Sequence, residues 1–104
     1  MIGFIDRKDD HMDTKHLNTF KVAAETLNFT QTASILNFAQ SSVTAQIKSL
    51  EEELGQSLFE RLGRRLILTE AGKDFKLYAE QMINLNEEAK MVLTLTWGKR
   101  GIYQ

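Results

Sequence analysis

The chain contains no cysteine, which excludes disulfides and thiolate metal sites. Histidine is scarce as well: His11 and His16 are the only two, both near the amino end and without ligand partners at metal spacing, so no metal and no cofactor are expected. No run of about 18 apolar residues is available for a membrane span, and the first residues lack the apolar centre of a signal peptide. The expected setting is a reducing cytoplasm, with no membrane partner. Charge of one sign is not in excess either. The formal net charge is −1 and the isoelectric point about 6.1, so any nucleic-acid contact has to come from local placement of cations. At 104 residues the chain makes one small domain, too short for a sizeable enzyme cleft with its scaffold.

What charge there is lies unevenly. Arg61, Arg64 and Arg65 cluster, whereas acids gather at Glu51, Glu52 and Glu53 and again at Glu87 and Glu88. The stretch that organises the rest is residues 39–55, AQSSVTAQIKSLEEELG. Val43, Ile47, Leu50 and Leu54 are spaced 4, 3 and 4 apart. At about 100° per residue they fall within an arc of roughly 60° and predict the core face of a helix. Ser41, Ala45, Lys48 and Glu52 lie opposite, with Thr44 at the flank. Acids normally favour the start of a helix, yet here they occupy its second half. An uncharged, hydrogen-bonding start with the acids held away is what a helix presented end-first to a DNA groove needs. A plain amphipathic helix with a solvated face accounts for the same spacing.

Residues 1–11 show no sustained period and read as an extension or a cloning remnant, with Met12 as the natural start. Asp13 and Thr14 are candidate caps for a first helix running to about Leu27, on which Leu17, Phe20, Ala24 and Leu27 form the buried stripe. Asn28 is expected to take the left-handed conformation that ends it, and Phe29 to be a buried anchor. Thr30 is expected to cap a short second helix with Ala33 and Leu36 turned inward, its small residues Ala33 and Ser34 allowing close approach. Only Asn37, Phe38 and Ala39 then separate it from the organising helix. Two short helices joined in this way form a helix-turn-helix pattern, and Gly55 suits the closing left-handed cap.

Residues 58–61 and 66–68 are short apolar-rich runs around a four-residue loop, Leu62-Gly63-Arg64-Arg65, which predicts a hairpin, or wing, with arginines at its tip. A surface turn with solvated charges is the alternative; a place beside the helix pair favours contact with the DNA backbone or minor groove. Thr69 then caps a long helix with Glu70 in its first turn. Ala71, Phe75, Tyr78, Met82, Leu85, Ala89 and Val92 alternate at spacings of 4 and 3, a seven-residue repeat of coiled-coil type. Roughly 26 residues of helix, about 39 Å long, overhang so small a body and call for a partner, most simply a second copy. The repeat fades after Leu95, so the helix is expected to stop near Trp97.

Read together, Leu17 and Phe20, Asn28-Phe29-Thr30, the run AQSSVTAQIKSLE from Ala39, Leu54-Gly55 followed by Leu58-Phe59 and Arg61, and LTEAG from Leu68 closely resemble the DNA-binding domain of LysR-type transcriptional regulators. The resemblance covers most of the chain, in order and at matching spacing. It implies a mainly α fold: a winged helix-turn-helix of three helices and a two-stranded wing over residues 12–69, then a dimerisation linker helix over 70–96 and a hinge over 97–104. It also implies a homodimer on double-stranded promoter DNA with a pseudo-palindromic site. The family's contacts map onto Gln40, Ser41, Ser42 and Thr44 for bases and phosphates, with Lys48 on the same face. Arg64 maps to the wing arginine, Arg61 and Arg65 to backbone contacts, and Thr30 and Gln31 to phosphate. The implied dimer interface is Phe75, Tyr78, Met82, Leu85, Ala89 and Val92. The resemblance leaves a tetramer open to a full-length protein. It assigns a small-molecule effector to a C-terminal domain, of which residues 101–104 look like the first few.

Three departures stand out. Ala39 replaces the usual Ser or Thr, Ser41 and Ser42 stand where prolines are common, and Ala45 stands where some members carry arginine. Fewer base contacts are expected there. A second class of function, a protein-interaction module, fits the near-zero net charge, although three wing arginines beside an acid-free helix start are not needed for it. An enzyme fits worst: Glu51, Glu52 and Glu53 point in different directions on a helix, and no histidine, nucleophile or phosphate loop joins them, so no catalytic residue is assigned.

Overall fold

A computed structural model describes residues 12–98. The expectations for residues 1–11 and 99–104, an amino-terminal extension and the approach to a further domain, lie outside the described residues. The elements run α1 (Thr14–Thr26), α2 (Phe29–Leu36), α3 (Gln40–Leu54), β1 (Phe59–Leu62), β2 (Arg65–Leu68) and α4 (Glu70–Trp97). This is the expected winged helix-turn-helix with a long trailing helix. No helix among the described residues is long and apolar enough to cross a membrane.

Asp13 caps α1, its carboxylate accepting from Lys15 N–H at 3.0 Å. Leu17, Phe20, Ala23 and Ala24 are buried on its inner face. The helix ends one residue earlier than expected: Leu27, not Asn28, takes the left-handed conformation (φ 51°, ψ 40°). Asn28 is engaged elsewhere. Its backbone is extended and its side-chain oxygen accepts from Gln31 N–H at 2.8 Å, so Asn28 caps α2 and the helix begins at Phe29. Thr30, expected as that cap, is already inside the helix. Asn outranks Thr at this position because its carboxamide reaches the third helical N–H with little strain.

On α2 the buried pair is Thr32 and Ala33, whereas Leu36 is only half-buried and Ser34 is exposed. Asn37 is left-handed (φ 63°), and Phe38 N–H returns to Ala33 O at 2.9 Å, which closes the turn and starts α3 beside α2. On α3 Val43, Ile47 and Leu50 are buried and Leu54 is half-buried against the same core. Each fully buried side chain of this kind is worth about 1.5–3 kcal/mol. Gly55 (φ 68°) ends the helix, its N–H on Glu51 O at 2.8 Å.

The hairpin pairs Phe59 with Leu68, Glu60 with Ile67, Arg61 with Leu66 and Leu62 with Arg65. Its loop is therefore two residues, Gly63-Arg64, rather than the expected four. Positive φ at Gly63 (65°) alone matches a type II′ turn, whose twist agrees with that of the strands and lets pairing continue to the tip.

Thr69 caps α4, accepting from Gly72 N–H at 2.9 Å while donating to Ser57 O at 2.6 Å. Gly72 is required by space: a Cβ there would run into the Leu58 carbonyl oxygen and lie 2.9 Å from Leu68 Cδ2. Phe75 and Ala79 are buried. The Phe20 ring lies 5.5 Å from that of Phe59 and 5.0 Å from that of Phe75, which joins α1, the wing and α4 in one core. Such ring pairs add about 0.5–1.5 kcal/mol each beyond their buried area.

Candidate nucleic-acid interface

Turning by about 100° per residue, Gln40, Ser41, Thr44 and Lys48 fall within an arc of roughly 100° on α3, which begins beside the core stripe at Gln40 and turns away from it. All four are exposed, and the first turn of the helix holds no acid. Ala39, which lacks a hydroxyl, makes no side-chain cap bond, so the α3 start keeps its N–H groups free of a capping side chain. Ser42 sits differently. It is half-buried, and its hydroxyl accepts from Gln46 Nε2 at 3.2 Å, which draws it toward the core side.

The start of α2 meets the start of α3. Thr30 and Gln31 are exposed, and the Thr30 hydroxyl donates to Gln40 Oε1 at 2.9 Å. Thr30, Gln31 and Gln40 thus form one polar corner.

On the wing Arg61, Arg64 and Arg65 are all exposed. The ion pairs among the described residues are Lys21–Glu25, Lys73–Glu70 and Lys90–Glu87, and none engages these arginines. Alternation along the strands puts Arg61 on the face of Leu66 and Arg65 on the other face, with Leu62 and Ile67. The tip residue Arg64 lies between them. The hairpin therefore carries a cation on each face and one at its end.

Two residues that position this surface are missing from the sequence reading. Gln46 is buried on α3 and its Oε1 accepts from the Thr19 hydroxyl of α1 at 2.6 Å. Its signal was present: it stands three residues after Val43 and four before Leu50, on the apolar side. Glu51, one of the three acids in the second half of α3, is half-buried, and its Oε2 accepts from Leu58 N–H at 2.8 Å and Phe59 N–H at 3.3 Å. It ties the end of α3 to the root of the wing. No spacing in the chain signals this, because the bond spans seven and eight residues across a loop.

The expected dimer seam divides into two parts. Phe75 belongs to this chain's own core at 9% exposure, and Met82 is partly buried against the same core. Tyr78, Leu85, Ala89 and Val92 are exposed. An open groove of about 400 Å³ runs along this side, lined by Met12, Phe75, Tyr78, Gln81, Met82 and Leu85.

Residues 14–73 match the family described as bacterial regulatory helix-turn-helix protein, lysR family. Over 80 residues the chain is 70% identical to the uncharacterized HTH-type transcriptional regulator YwqM of Bacillus subtilis, covering 77% of this chain and 27% of that protein. Among solved structures it is similar to Vibrio fischeri DarR in complex with DNA (TM-score 0.79, 29% identity, 88% of this chain and 31% of that one). It is also similar to the BenM DNA-binding domain in complex with catB site 1 DNA (TM-score 0.73, 35% identity, 81% of this chain and 96% of that one). The chain thus spans little more than a quarter of the length of the Bacillus relative. With the helix pair and the two-stranded wing in place over the matched residues, and the trailing helix starting within them, the chain belongs to the LysR family of bacterial helix-turn-helix regulators.

Proposed function

We propose that this chain is the sequence-specific DNA-binding and dimerisation module of a LysR-type transcription regulator, acting in the cytoplasm and without enzymatic activity. One observation carries the reading: an exposed, acid-free start of α3 is accompanied by three wing arginines that have no acidic partner among the described residues. Unpaired cations at the tip and on both faces of a hairpin suit insertion into a groove walled by phosphate on either side. The DNA complexes of DarR and of the BenM domain support it, since both share this fold with the chain.

In this reading residues 12–69 bind DNA. Gln40, Ser41 and Thr44 meet base edges or phosphates in the major groove, Lys48 and Gln31 meet phosphate, and Arg64 enters the minor groove with Arg61 and Arg65 on its walls. Residues 70–96 pair with a second copy through Tyr78, Leu85, Ala89 and Val92, with Met82 at the margin. Two recognition helices related by a twofold axis then read a pseudo-palindromic promoter site. A small-molecule effector acts through a separate domain, and assembly to a tetramer belongs to the longer protein.

The test is affinity for a random duplex pool against salt, by fluorescence anisotropy, followed by selection of the tightest sequences. A dimer neutralising about six to eight phosphates gives a slope of log K against log salt of roughly −5 to −7, with an enriched palindrome. Undetectable binding by the folded dimer would favour the protein-interaction reading.

A further inference from the structure

Resting on the function proposed above, we infer that Glu51 is a positioning residue: its carboxylate sets the wing against the recognition helix, so that the wing arginines and the start of α3 grip one half-site together.

Glu51 stands two turns beyond Thr44 on α3 and, at about 100° per residue, within roughly 20° of it. The flank that carries the exposed Gln40 and Thr44 at its start therefore carries this half-buried acid further along. Its Oε2 accepts from Leu58 N–H at 2.8 Å and from Phe59 N–H at 3.3 Å, which joins α3 to the root of β1. A backbone N–H only donates and a carboxylate oxygen only accepts, so these bonds have one sense. Leu58 and Phe59 are buried, and water replaces the carboxylate as their acceptor only if the strand moves. On the other side Leu58 O accepts from Thr69 N–H at 3.0 Å, and Ser57 O from the Thr69 hydroxyl at 2.6 Å. The root of the wing is thus held between α3 and the start of α4.

Arg61, Arg64 and Arg65 are exposed and take no part in the ion pairs among the described residues, so the backbone that presents them sets their place. The strand β1 runs from Phe59 to Leu62, and the tip lies beyond it. At roughly 3.3 Å per residue the tip is about 13 Å from Phe59, and a tilt of about 10° at the root moves it by roughly 2 Å. A displacement of that size breaks a hydrogen bond to phosphate. Charge alone predicts the opposite role for Glu51. An acid beside a surface that meets phosphate repels it, so removing the acid would strengthen binding if the carboxylate did nothing else.

The experiment compares the 104-residue chain with Glu51→Ala, Glu51→Gln, the Arg61→Ala/Arg64→Ala/Arg65→Ala variant and that triple variant carrying Glu51→Ala or Glu51→Gln. Circular dichroism establishes that each is folded, and anisotropy on the site enriched by the unmodified chain gives affinity across a salt series. Glu51→Ala should weaken binding by about three- to tenfold, part of what the wing arginines contribute. The slope of log K against log salt should fall by about one for each phosphate that the wing gives up. Glu51→Gln keeps one acceptor oxygen, so its loss should be smaller and in the same direction; it is the variant to read if Glu51→Ala does not fold. In the triple-alanine background neither substitution at Glu51 should weaken binding further, because the groups it positions are gone. Equal or tighter binding by the folded Glu51 variants would overturn the inference. So would a loss of the same size without the arginines, which would mean that Glu51 acts on the body of the fold; both outcomes leave the regulator function intact. Absence of any binding by the unmodified chain would remove both.

Discussion

Gln46 is a polar side chain at a core position, and it is tolerated because all it needs is supplied. Thr19 donates to its oxygen at 2.6 Å and Ser42 accepts from its nitrogen at 3.2 Å. The result is a polar strut from α1, through α3, to a serine beside the exposed Ser41 and Thr44. Thr19→Val keeps the shape and removes the donor, so the buried amide oxygen loses its partner at a cost of about 1–3 kcal/mol. Urea unfolding should report that loss, and an unchanged midpoint would show that the strut contributes nothing. Arg64 is the opposite case, a residue with no partner within the described chain. Arg64→Ala should leave the unfolding midpoint alone while weakening DNA binding by about 1–3 kcal/mol in anisotropy titrations, provided it enters a groove. Equal affinity of the two proteins would exclude that role. The cap between α1 and α2 shows how far residue types alone reach. Asn28 and Thr30 both suit a cap, and the choice went to Asn28 because its oxygen lies 2.8 Å from Gln31 N–H, leaving Thr30 free for Gln40.

The helices were legible as elements because their periods are long and their ends carry distinct chemistry. Asp13, Gly55 and Thr69 act at α1, α3 and α4 as expected, and each does so through a bond within four residues or a backbone angle. The wing was legible as a hairpin but not in its register. Four residues could form the loop, and only strand pairing up to Leu62 and Arg65 reduces it to Gly63-Arg64. What holds the wing to the body is tertiary. Thr69 N–H bonds Leu58 O at 3.0 Å, Glu51 clamps Leu58 and Phe59, and α4 comes so close at Gly72 that no side chain fits. Gly72→Ala pushes a Cβ against the Leu58 carbonyl, backbone that cannot rotate aside. The expected cost is about 1–3 kcal/mol or more, from overpacking that parts the wing root from α4, and thermal unfolding followed by circular dichroism measures it. Retention of the full melting temperature would mean that the two elements can separate without loss.

At the scale of the molecule, α4 changes character along its length. Its first three turns complete the core through Phe75 and Ala79, and no described residue beyond Ile83 belongs to that core. Leu85 at 65% and Val92 at 49% exposure are seven residues apart on one line, the spacing that meets a partner helix. Because neither is in the core, Leu85→Lys with Val92→Lys should preserve helicity and melting while sedimentation shifts from dimer to monomer. Met82, which packs partly on the core, is the poorer site for that substitution. A double variant that still sediments as a dimer would place the interface off this face.

The order and type of the elements, the two sides of α3 and the continuous repeat of α4 were determined by the sequence by itself, because each rests on local periodicity, caps within a turn, or a backbone preference of one residue. Which of the repeat residues remain available to a partner was decided only by the tertiary structure, as Phe75 was taken by the ring of Phe20 at 5.0 Å. The same holds for Glu51, Gln46 and Thr30. Their bonds join groups between seven and twenty-seven residues apart, and no local preference records a pairing that exists only once the chain has closed on itself.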